Sequence, residues 1–172
     1  MAGIGTYTKI EGFAFLPITS FMMALTTFVS QNRGAKEYER ARKGAHFGLV
    51  CSVSLAETIG VLIALFATPL MRLFVDDPQV IQYGVERAHY ATILFFLLAY
   101  SHGVSAVLRG VGKSVVPMVV MLVCWCLVRV TLLTMLNMLF HNILFVYLIY
   151  PFTWSLSSIV FFLYYRKINW QE

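Results

Sequence analysis

The sequence predicts an all-α fold, a polytopic bundle of transmembrane helices, and three observations carry that prediction. Hydrophobic residues make up 59% of the 172-residue chain and charged residues only 12%, against roughly 45–50% and about 25% in soluble domains. The mean hydropathy is +0.76, which is more apolar surface than so short a chain can bury away from water. The apolar residues also gather into five stretches, 12–31, 45–71, 88–108, 115–136 and 143–165. Each meets the roughly 20-residue length that crosses a bilayer's hydrocarbon as a helix. Disorder, a disulfide scaffold and a soluble enzyme are excluded.

Thirteen Lys and Arg against eight Asp and Glu give a net charge of +5, which in a soluble protein would suggest nucleic acid. Their placement argues for the lipid bilayer as partner instead, with no nucleic acid. Arg33, Lys36, Arg40, Arg42 and Lys43 follow the first stretch, Arg109 and Lys113 the third, and Arg166 and Lys167 the last. The alternate segments hold Lys9, Arg72 and Arg87. Cytoplasmic loops of membrane proteins carry the excess of Lys and Arg, so the first, third and last polar segments, and with them the carboxy terminus, are expected in the cytoplasm. The amino terminus then faces out, yet residues 1–11 lack the basic region and cleavage site of a secretory signal. Residues 2–12 therefore read as an outer loop descending from an upstream helix. The chain is expected to be the carboxy-terminal part of a longer, transporter-like protein.

Span one contains Pro17 and a set of small or hydroxylated residues, Thr19, Met23, Thr26, Thr27 and Ser30, at helical spacing. Such a face serves either helix–helix contact or the lining of a cavity. The loop 32–44 reads as a solvated amphipathic turn, with Gly34 placed to end the first helix. Span two is the longest and is expected to tilt, with Pro69 and Arg72 at its outer end. Asp76-Asp77-Pro78 has the form of a helix cap followed by proline at the first helical position. It opens a short interfacial helix, residues 78–87, ahead of span three.

Gly112-Lys113-Ser114 resembles part of a phosphate-binding loop, but that motif needs glycine five positions before Gly112, where Val107 stands, and a preceding strand. It reads as a short inner turn with helix-stopping glycines. In span five, Tyr150-Pro151 precedes Trp154, Ser155, Ser157 and Ser158. A proline there frees a carbonyl that nearby hydroxyls can satisfy, and a bend is expected. Cys51, Cys124 and Cys126 all fall inside spans, act as small apolar filler and are not placed to bridge. His46, His89 and His141 lie near interfaces. Metal-ligand spacing and nucleophile–base sets are missing from the sequence, so no metal site, no catalytic residue and no enzyme is expected.

Two ionisable groups lie deep in the spans, Glu57 near the centre of the second and Arg129 past the centre of the fourth. An intramembrane charge faces the bundle interior and takes a partner as a rule. At comparable depth the two are expected to pair with each other or to face a water-filled pathway. The alternatives are a protonated Glu57 bonded to a neighbouring helix, and an Arg129 that reaches along its helix to the headgroups. His102, flanked by Tyr100 and Ser101, makes a polar island in span three, either a packing residue or part of a relay. Glu57, Arg129, His102, Thr26, Thr27 and Ser30 are thus the candidates for a transport pathway or coupling site.

Several motifs together resemble one family. The stretch Lys9-Ile-Glu-Gly-Phe-Ala-Phe-Leu-Pro-Ile, followed by Ala24-Leu-Thr-Thr-Phe-Val-Ser-Gln-Asn-Arg-Gly-Ala, resembles the second helix of the carboxy-terminal lobe of the multidrug and toxic compound extrusion (MATE) transporters, and Gln31–Lys43 the inner loop after it. Asp77-Pro78-Gln79-Val80-Ile81, Val107-Leu-Arg-Gly-Val-Gly-Lys-Ser, and Val116-Pro117-Met118 with Trp125 and Arg129 are similar to further family landmarks. The resemblance implies two six-helix lobes that rock to exchange drugs or organic cations for protons or sodium ions. This chain would supply helices 8–12, its missing amino-terminal lobe being a partner, and no cofactor beyond the coupling ion is implied. Many relatives carry a carboxylate eleven residues before the arginine of Leu-Arg-Gly, where this chain has Leu98, which puts a sodium site in this lobe in doubt. The expectation is part of a plasma-membrane antiporter that exports small organic cations or drugs and is inactive alone. The alternatives are a flippase of lipid-linked saccharides and a small membrane protein that acts through a partner without transporting.

Overall fold

A computed structural model describes residues 2–140 and 143–171. Among them there are eight α-helices, one π-helical segment and no strand. His141, placed near an interface by the sequence, lies outside the described residues.

Helix α1 (Ala2–Gly34) is continuous. Residues 2–12 are therefore not a loop but its first three turns. Packing is the reason: Tyr7 and Ile10 are buried against Met71, Ala88 and Ala91, and that contact overrides the local cost of Lys9 and Glu11. The helix ends at Gly34 as the sequence predicts, yet the left-handed residue that reverses the chain is Lys36, with φ 62°. The Glu37 amide bonds the Asn32 carbonyl at 2.9 Å across this turn, the closing bond of a Schellman-type stop. The expected loop 32–44 shrinks to three residues, because α2 (Tyr38–Leu65) starts at Tyr38. Its basic residues lie on a helical turn, where Lys43 pairs with Glu39 at 2.7 Å.

Span two does not run unbroken to residue 71. It is interrupted at Phe66, and α3 (Ala67–Arg72) follows. Pro69 lacks the amide that would bond the Leu65 carbonyl, which accounts for the interruption. The Asp77 carboxylate accepts from the Gln79 amide at 2.9 Å and caps α4 (Pro78–Thr92), with Pro78 in the first helical position.

The third span departs most from expectation. Helix α4 carries on past Arg87 to Thr92, and α5 (Phe95–Gly110) leaves it at 55°. The bend falls inside the predicted span 88–108 and not before it. Thr92 turns its hydroxyl back to the Ala88 carbonyl at 2.8 Å, and Glu57 of α2 accepts from the Phe96 amide at 3.1 Å. The restarted helix is thus capped from a neighbouring element. At the far end of α5 the Lys113 amide bonds the Leu108 carbonyl at 2.9 Å and Gly112 takes φ 86°, the helix-stopping turn expected there.

Helix α6 (Val115–Met121), the π segment Leu122–Val128 and α7 (Arg129–Phe140) follow one another without a break. Helix α8 (Ile143–Arg166) continues through Pro151 without interruption, and Thr153 and Ser155 donate to the carbonyls of Tyr150 and Pro151 at 2.9 Å each. Among the described residues four helices are long and apolar enough to cross a membrane, and five if the bent α4–α5 pair is counted as one span.

Helix α5 is central, packed on α1, α2 and α8. Small residues permit this: Ala99, Ser101, Gly103, Ser105 and Ala106 are all buried, the composition that lets membrane helices approach closely. At Gly110 a Cβ would come within 2.8 Å of the Thr26 carbonyl and of Val29. Phe13, Leu65, Val130 and Ile159 are among the large apolar side chains left on the outside, the surface that lipid covers. All three cysteines are free.

Candidate functional site

The residues proposed from sequence do not form one cluster. Thr26 reaches into the bundle and donates to the Ala106 carbonyl of α5 at 3.1 Å and to Met22 at 3.0 Å. Thr27 and Ser30 are exposed and bond only within α1, to Met23 and Thr27. Met23 is 72% exposed, so the five-residue set is not one inward face.

Glu57 does not pair with Arg129. It sits on α2, which packs on α1, α4 and α5, and its carboxylate is engaged by the Phe96 amide. Arg129 begins α7 and turns to α8, donating from Nη2 and Nε to the Thr153 hydroxyl at 2.6 and 3.2 Å. Equal depth along two helices says nothing about which way each side chain points, and these two point at different neighbours.

Arg129 belongs to a cluster that sequence reasoning missed. Its guanidinium lies 5.1 Å from the Trp125 ring and 4.6 Å from the Tyr150 ring. Arg87 of α4, 3% exposed, lies 4.4 Å from the same Tyr150 ring and 5.4 Å from Tyr7. Glu11 of α1 is the carboxylate within electrostatic reach of both arginines. Two cations on one ring repel, and a carboxylate beside them offsets that repulsion. The Tyr7 hydroxyl and Arg87 Nε are buried with no hydrogen-bond partner among the described residues. The sequence reading places Glu11 in an outer loop and Arg87 at the end of an interfacial helix, outside the spans; the i, i+4, i+8 spacing of Tyr7, Glu11 and Phe15 is the signal that these three share a helix face.

A cavity of about 340 Å³ opens on this cluster. It is lined by Glu11, Phe15 and Thr19 of α1, by Leu98 of α5, and by Trp125, Arg129, Tyr150 and Trp154. Next to it lies a hydroxyl network: Ser101 contacts Ser157 and Ser158 at 3.0 and 2.9 Å, and the Trp125 indole donates to Ser157 at 3.2 Å. His102 joins the two, its ring 5.0 Å from Phe15, edge-on, and 5.1 Å from Trp125. No group of three metal-ligating side chains occurs among the described residues.

The family model MatE matches residues 1–135. The chain belongs to the MATE family. Its relatives include a probable multidrug resistance protein NorM of Thermotoga maritima, 30% identical over 65% of this chain and 24% of that protein. A probable multidrug resistance protein YoeA of Bacillus subtilis is 23% identical over 99% of this chain and 37% of its own length. An FAD transporter of Shewanella oneidensis is 29% identical over 48% of this chain and 18% of its own. This MATE chain thus spans less than two fifths of each of these relatives.

Proposed function

We propose that this MATE chain is part of a cation-coupled antiporter that exports drugs or organic cations across the plasma membrane, with its carboxy terminus in the cytoplasm. One observation carries the reading, the cavity in which a carboxylate, a guanidinium and four aromatic rings meet inside a membrane bundle. Aromatic walls suit flat, apolar substrates, and Glu11 supplies the charge that a proton or a cationic substrate would occupy in turn. A proton fits the site better than sodium, because Glu11 stands without a second carboxylate in the cavity lining and Leu98 faces it. The names of the Thermotoga and Bacillus relatives support drug export.

Transporters of this kind bind between two halves of the molecule, and this chain offers one wall. Reconstituted alone it is expected to give no gradient-driven ethidium efflux. With an amino-terminal lobe supplied as a second polypeptide, efflux should appear, and Glu11→Gln should return it to background. Efflux by the lone chain, or undiminished efflux in the Glu11→Gln pair, overturns the reading. A second reading, export of an aromatic anion, is favoured by two arginines against one carboxylate in the cluster and by the relative named an FAD transporter. Flavin efflux in the same vesicles, with ethidium retained, would select it.

A further inference from the structure

We propose that the groove between the first turns of α2 and the end of α8 binds the headgroup of an anionic phospholipid, with an acyl chain laid along α2. The groove is about 850 Å³ and is lined by Arg42, Lys43 and His46 from α2 and by Tyr165, Arg166 and Trp170 from the end of the chain. Glu39 also lines it, but its carboxylate is taken by Lys43 at 2.7 Å. Arg42 and Arg166, both exposed, have no carboxylate within ion-pair distance among the described residues, so beside the Glu39–Lys43 pair the groove offers two guanidiniums outside any ion pair. A phosphodiester accepts two charge-assisted bonds from the fork of a single guanidinium, and a second cation lining the same groove adds to the attraction. Basic pockets between membrane helices at this level are suited to anionic headgroups.

The apolar half of the groove points to lipid over soluble phosphate. Phe47 and Val50 continue the lining from Lys43 and His46 along one face of α2, and they are 70% and 54% exposed. Charge at the helix end giving way to apolar surface one turn deeper is the profile of a phospholipid, headgroup above chain. The Tyr165 and Trp170 rings meet edge-on at 6.4 Å, and Tyr and Trp are the residues enriched at the membrane–water interface. A free phosphate would use the arginines and leave Phe47 and Val50 bare.

Trp170 makes the groove measurable. The full chain is placed in phosphatidylcholine vesicles with a minor fraction of brominated phosphatidylglycerol or, in parallel, brominated phosphatidylcholine, and tryptophan quenching is read with and without Trp170→Phe. Brominated phosphatidylglycerol should quench more strongly, and Trp170→Phe should remove the difference, since Trp125 and Trp154 lie at the cavity. Arg42→Gln and Arg166→Gln should each weaken the preference about fivefold. Arg42→Lys should keep most of it, and Lys113→Gln, in the separate α5–α6 turn, all of it. Equal quenching by the two lipids, or an unchanged preference in the double glutamine variant, overturns the proposal. So does displacement by soluble glycerol phosphate, which would assign the groove to a free phosphate.

Discussion

Tyr150 carries two guanidiniums, Arg87 at 4.4 Å and Arg129 at 4.6 Å from its ring centre. A desolvated cation–π contact contributes about 2 kcal/mol, whereas a buried charge stripped of its partners costs several kcal/mol. The ring and Glu11 together are what allow Arg87 to lie 3% exposed inside a membrane bundle. Tyr150→Leu is therefore expected to lower stability by about 3 kcal/mol, read as the unfolding midpoint in detergent, while Tyr150→Phe, which keeps the ring, stays near the parent. Equal midpoints for the two variants would mean that the ring's face is irrelevant. Arg129 was legible in the sequence as a charge within an apolar run, but its surroundings were not. Lys9 and Glu11 lower the local hydropathy enough to trim the first span, so a carboxylate within electrostatic reach of both arginines falls in a loop on the sequence reading. Glu57, the carboxylate that stood out, points elsewhere.

At the scale of elements, the α4–α5 bend depends on α2. Gly60 lets α2 approach so closely that an added Cβ would stand 3.0 Å from the Thr92 carbonyl and 3.3 Å from the Phe95 ring. Three residues earlier on the same helix, Glu57 supplies the acceptor for the Phe96 amide. Glu57→Ala leaves that amide unpaired at a cost of about 1–3 kcal/mol, and Gly60→Ala forces neighbours apart at a similar cost of about 1–3 kcal/mol. Both should destabilise, and spin labels at Gln79 and Ser114 should show a broader distance distribution across the bend. An unaltered distribution in Glu57→Ala would show that the cap does not hold the angle. Local signals were readable where they were local: Asp77-Pro78 announced the start of α4, and the glycines after Leu108 announced the end of α5. The break at Ile93–Leu94 carries neither proline nor glycine. The carboxylate that caps its restart lies on another helix, 39 residues away in sequence, which no reading of adjacent residues can reach.

On the scale of the whole molecule, the basic residues collect at one end because three chain segments meet there. Arg33, at the end of α1, bonds the Val111 carbonyl in the α5–α6 turn, and Arg42 of α2 shares a groove with Tyr165 and Trp170 of the tail. Asp76 and Asp77 precede α4, and the Glu11–Arg87–Arg129 cluster lies toward that opposite end. The five apolar runs foretold this alternation, since each span reverses the chain. If the basic end faces the cytoplasm, cysteines placed at Lys36, Lys113 and Asn169 in a background without Cys51, Cys124 and Cys126 should react with an impermeant maleimide only in inside-out vesicles. A cysteine at Asp76 should react only in right-side-out vesicles. All four positions are exposed, so reactivity reports sidedness and not burial. The cytoplasmic assignment fails if this pattern is inverted. Labelling of Lys36 and Asn169 from opposite faces contradicts more, because it would separate segments that the Arg33–Val111 bond and the shared groove hold at one end.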